Sequence, residues 1–74
     1  MEKPTLSQIS NFVLMLKNTP EHFGIYNLDK AFSTLEEKMS LKQYKYLLHL
    51  IFSKKYFKAK QILDQIGLEH KQAN

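Results

Sequence analysis

The sequence predicts an all-α protein, a small single-domain bundle of three to four helices whose last two form a basic helical hairpin. Three observations carry this. Apolar residues recur at intervals of three and four, and the strict alternation of a half-buried strand is absent. The only two glycines, Gly24 and Gly67, and the only two prolines, Pro4 and Pro20, fall where that periodicity breaks. Two helix-start signatures, Thr5-x-x-Gln8 and Ser40-x-x-Gln43, stand immediately before apolar runs.

The first helix is predicted to begin at Thr5, with Pro4 and Ile9 as the flanking apolar pair of the capping box. Leu6, Ile9, Val13 and Leu16 share one face, with Phe12 beside them. Asn18-Thr19-Pro20 ends it, because the residue before a proline avoids the helical region. Leu14 and Met15 fall off this face and are assigned to self-association in a homodimer. Thr19-Pro20-Glu21-His22 reads as a second start: a cap, a proline at the first position, then an acid. Gly24 limits that segment to about one turn. The next helix is expected from Asn27, its cap, to Met39, with Leu28, Ala31, Phe32, Leu35 and Met39 inward.

Ser40 then starts a helix whose inward face is read as Leu41, Tyr44, Leu47, Leu48, Ile51 and Phe52. A break is expected at Ser53-Lys54-Lys55. The alternative is one helix from Leu41 to Ile66, about 39 Å long at 1.5 Å per residue, which would need a partner for its apolar stripe. The last helix carries Tyr56, Ala59, Ile62, Leu63 and Ile66. Gly67 is placed as its left-handed stop, with Leu68 packing back on Leu63. The domain is read as residues 1–68, and residues 69–74 as a frayed polar tail.

Length and composition bound the function. A chain of 74 residues, 43% hydrophobic and 24% charged, holds one small globular domain. There is no cysteine, hence no disulfide framework and no thiolate metal site. No apolar run approaches a membrane span, and no secretory signal pattern opens the chain; the expected location is the cytoplasm. Neither a phosphate-cradling glycine loop nor a G-x-S-x-G elbow is found. His22, His49 and His70 stand on different elements, and Glu36 and Glu37 point about 100° apart on a helix. These patterns assign no catalytic residue, no metal ligand and no cofactor; the chain reads as a non-enzyme.

The informative feature is the distribution of charge. Eleven lysines, no arginine and seven acids leave a net charge of +4. Residues 1–37 carry three lysines and five acids, whereas residues 38–74 carry eight lysines and two acids. Between Lys38 and Leu63 there are seven lysines and no acid, interleaved with Tyr44, Tyr46, Phe52, Tyr56 and Phe57. Tyr44 and Tyr56 fit the core. Tyr46, Leu50 and Phe57 fall off the core stripe and are read as exposed anchors. With Lys42, Lys45, Lys54, Lys55, Lys58 and Lys60 they make up the expected partner-binding face.

Such a face fits an acidic protein surface first, with the apolar residues anchoring and the lysines steering. Nucleic acid of low sequence specificity is the alternative, since lysines neutralise phosphates but arginine does most bidentate base reading. The helix–turn–helix spacing across Leu28–Phe52 is a weak signal, because its turn lacks glycine. An anionic membrane ranks last, because the apolar faces of these helices are needed inside the domain. The expected function is therefore that of a small interaction or regulatory protein.

Overall fold

The computed structural model describes residues 2–72. It is all-helical, with five helices: α1 (Leu6–Lys17), α2 (Pro20–Phe23), α3 (Ala31–Lys38), α4 (Leu41–Phe52) and α5 (Tyr56–Ile66). The count exceeds the expected three to four because the one-turn α2 is a helix in its own right. Among the described residues, no helix is long and apolar enough to cross a membrane.

Both capping boxes form. Thr5 Oγ1 accepts from the Gln8 amide at 3.0 Å, and Gln8 Oε1 accepts from the Thr5 amide at 2.8 Å. Ser40 Oγ and Gln43 do the same at 3.1 and 2.9 Å. Each box satisfies amides that the first helical turn leaves unpaired. Thr19 departs from expectation. Its hydroxyl donates back to the Met15 carbonyl (3.1 Å) and so does not cap α2. Gly24 ends α2 in a right-handed conformation. Its requirement is space: a Cβ there would stand 2.6 Å from the Pro20 carbonyl oxygen.

The third helix is shorter than the expected Asn27–Met39. Asn27 is not its cap. The Asn27 amide donates to the Glu69 carbonyl (2.7 Å), and residues 28–30 form a turn before Ala31. The Lys71 amide likewise donates to the Ile25 carbonyl (2.7 Å), and Tyr26 and His70 form an antiparallel bridge. Residues 69–71 are therefore tied to the segment before α3 rather than frayed. Residues 73–74 of the expected tail lie outside the described residues.

The break between α4 and α5 is present. Ser53 closes α4, and Lys54 takes a left-handed φ of 59°. The Lys55 amide donates to the Leu50 carbonyl (2.8 Å). At the other end of α5, Gly67 is left-handed (φ 101°) and the Leu68 amide donates to the Leu63 carbonyl (3.1 Å). That is the Schellman geometry expected there, with Leu68 buried beside the core. A β-carbon at such a φ is strained, so Gly67→Ala is expected to cost about 1–2 kcal/mol in chemical denaturation.

One core joins all five helices. α1 packs on α2 and α3, and α5 packs on α3 and α4. The Phe12 and Tyr44 rings meet edge-on at 6.0 Å, which links α1 to α4. His22 stacks on Tyr56 at 3.9 Å, and Phe23 meets the same ring edge-on at 5.9 Å, which links α2 to α5. Lys3 serves a helix C-terminus: its Nζ donates to the carbonyls of Glu36 and Glu37 at the end of α3.

The inward side of α4 differs from the expected one in two residues. Leu50 is 2% exposed and belongs to the core, whereas Phe52 is 76% exposed. The inward set is Tyr44, Leu47, Leu50 and Ile51, while Leu41 and Leu48 sit at its margin. The turn explains the shift. It closes onto the Leu50 carbonyl and brings α5 back against α4, with Leu50 in the core and Phe52 outside it.

Candidate functional site

The outward side of α4 carries Lys42, Lys45, Tyr46, His49 and Phe52, all exposed. Their spacing of three, one, three and three places them on one stripe. The stripe spans about 15 Å, given a 1.5 Å rise per residue. It contains only cations, aromatics and an imidazole. Tyr46 is 41% exposed. Its ring lies nearly parallel to that of His49, with centroids 6.4 Å apart, so the two rings share one flank of the helix.

Two shallow grooves flank the start of α4 and meet at Ser40 and Lys42. One is lined by Glu2, Leu41 and Lys45, the other by Lys38, Gln43 and Tyr46. The capping box at Ser40 fixes this end, and the Leu41 amide donates to the Glu2 carbonyl (2.9 Å). The lysines therefore project from a helix start that is held by hydrogen bonds on both flanks.

At the other end of α4 the stripe runs into the turn. Ser53, Lys54 and Lys55 are exposed, as are Phe57 and Lys58 on α5. Phe57 is 73% exposed. Among the described residues, neither ion pair involves a lysine of this region. One joins Lys17 to Asp29 and the other joins His70 to Asp64. Among the described residues, the cations from Lys42 to Lys58 thus have no carboxylate within 4 Å.

The structure brings Lys42, Lys45 and Tyr46 together on α4, and Lys54, Lys55, Phe57 and Lys58 around the turn. It removes Leu50, which is core. Lys60 is half-buried one turn after Phe57 on α5, and its charge acts on Asp64. Met15 is also corrected: it packs against the core, while Leu14 is exposed. Phe52 and His49 are the members that sequence reasoning missed. Their register with Lys42 and Lys45 was the available signal, but it was outweighed for Phe52 by its hydrophobicity.

A separate polar cluster lies where the last described residues meet α5. The buried Tyr26 hydroxyl shares its one proton between Asp64 Oδ1 (2.9 Å) and the Lys60 carbonyl (3.0 Å), and His70 Nε2 lies 3.0 Å from the same Asp64 oxygen. Burial first, then the Asp64 hydrogen bond and charge, push the Tyr26 phenol above its usual range. Burial opposes ionisation of Asp64, but the hydrogen bonds of His70 and Tyr26, with the charges of His70 and Lys60, outweigh it and lower the Asp64 pKa. The cluster ties Tyr26, α5 and His70 together. Among the described residues, no group of three histidine or acidic side chains gathers in a way that holds a metal ion.

Comparison with family models, with curated proteins and with solved structures finds no match for this chain.

Proposed function

We propose that this chain is a small non-enzymatic interaction protein of the cytoplasm. It binds an acidic protein surface through the basic, aromatic-containing face of α4 and α5, which act together as a basic helical hairpin. The observation that carries this reading is the outward stripe of α4, where Lys42, Lys45, Tyr46, His49 and Phe52 stand exposed with no acid among them. Lysines at that spacing steer an acidic partner, and the partly exposed Tyr46 ring supplies contact area at little conformational cost. Lys54, Lys55, Phe57 and Lys58 extend the face past the turn.

The second reading is nucleic acid bound with low sequence specificity. It draws on the same unpaired cations. Titration of the protein against labelled mixed-sequence DNA and RNA, at low and physiological salt, separates the two. The protein-partner reading expects any binding seen at low salt to vanish at physiological salt, as for non-specific phosphate contact. Tight binding that survives physiological salt and is abolished by reversing Lys42, Lys45 and Lys54 selects nucleic acid instead.

A further inference from the structure

We infer that the α4–α5 corner, residues 52–58, is a docking tip for an anionic lipid surface. This goes beyond the protein-binding reading by giving the far end of that face, around Lys54, Lys55, Phe57 and Lys58, a second ligand. Phe52 and Phe57 are 76% and 73% exposed, more than any other large apolar side chain among the described residues. They bracket Ser53, Lys54 and Lys55, and Lys58 follows; all of these are exposed. No acidic residue occurs between Lys38 and Leu63. The chain reverses here without glycine, so a lysine, Lys54, occupies the left-handed position (φ 59°) at the tip.

Side chains that stand three-quarters clear of the body present a protrusion. A bilayer interface yields to both phenylalanines without a preformed pocket for either. Lysine is a compact point charge that attracts anionic headgroups without a fixed geometry. Apolar insertion and a cluster of cations are each weak signals alone and together hold a protein at a membrane surface. The objection to a membrane, that the apolar faces of these helices fill the core, does not reach Phe52 and Phe57, which lie outside it. Lys42 and Lys45 stand about 10 Å or more back along α4, beyond a Debye length of about 8 Å at physiological ionic strength.

The test is co-sedimentation of the full chain with vesicles at physiological ionic strength. One set is phosphatidylcholine alone, and the other is an equal mixture of phosphatidylcholine and phosphatidylserine. The protein is expected to bind the mixed vesicles and not the neutral ones. The double variant Phe52→Ser/Phe57→Ser keeps its helical circular dichroism and loses about tenfold or more in binding. Lys54→Glu/Lys55→Glu/Lys58→Glu abolishes binding, and Lys42→Glu/Lys45→Glu changes it by less than about threefold. Absence of preference for the mixed vesicles overturns the inference, as does a folded serine variant that binds like the wild type. Should the serine variant unfold, the Lys54, Lys55 and Lys58 reversal decides, and unchanged binding overturns it. The protein-binding reading is tested separately by Lys42 and Lys45 against a protein partner, so either reading can fail without the other.

Discussion

Leu50→Ala is expected to lower the stability of the domain by about 2–5 kcal/mol, whereas Phe52→Ala changes it by less than about 0.5 kcal/mol. The two residues are two positions apart on one helix. Leu50 is 2% exposed among Leu47, Ile51 and the residues of α5, and its truncation leaves a cavity that a close-packed core refills only in part. Phe52 is 76% exposed, so its ring is already largely hydrated in the folded state. Urea denaturation of both variants checks the contrast. Equal losses, or a larger loss at Phe52, would mean that α4 is rotated from the arrangement described here. The same pair separates packing from binding, because only Phe52 can be removed without disturbing the fold.

Tyr26→Phe is expected to cost about 1–2 kcal/mol, because it removes the buried hydroxyl whose single proton is shared between Asp64 Oδ1 and the Lys60 carbonyl. The variant also changes the alkaline limit. The Tyr26 phenol is held above its usual range in the folded protein, while in the unfolded chain it ionises near pH 10. The folded form keeps a proton that the unfolded form releases. The contribution is therefore fully present below about pH 10 and is lost as pH rises beyond it. Phenylalanine has no such proton, so the alkaline limb of the stability profile should be smaller in the variant. Asp64 works in the opposite direction. Its depressed pKa gives a contribution present above the ordinary carboxylate value, near 3.9, and lost as pH falls through the folded value. With its side chain 51% exposed, solvent screening keeps that acid-side effect small. A stability profile against pH, recorded for wild type and Tyr26→Phe, reads both limbs.

The features legible in the sequence are those whose causes lie within a few residues. Thr5 with Gln8, and Ser40 with Gln43, fix two helix starts because both partners of each capping box sit on one turn. Gly67 and Leu68 fix a helix end for the same reason. The turn at Ser53–Lys55 followed from chain length, since one helix from Leu41 to Ile66 would outrun so small a domain, and the radius of gyration is 11.3 Å. What the sequence concealed depends on distant partners. Tyr26 meets Asp64 from 38 positions away, and Asn27 spends its amide on Glu69, so neither the short α3 nor the tied residues 69–71 had a local sign. Leu50 and Phe52 were exchanged because helical periodicity gives the relative directions of side chains, while the neighbour decides which direction is inside. On the candidate face, the lysines and Tyr46 were legible as charge and register. Phe52 was hidden by the ordinary rule that a phenylalanine is buried.

The outward stripe of α4 is proposed to engage an acidic protein. The most direct measurement compares the wild-type chain with a Lys42→Glu/Lys45→Glu/Tyr46→Ala variant as immobilised bait in extract of the source cells, treated with nuclease. The variant is first shown by thermal melting to be as stable as the wild type, as its exposed positions require. One protein is expected to be retained in stoichiometric amount by the wild type, resistant to nuclease, released by moderate salt and absent from the variant. Equal retention of the same proteins by both baits, or loss of all retained material on nuclease treatment, would contradict it.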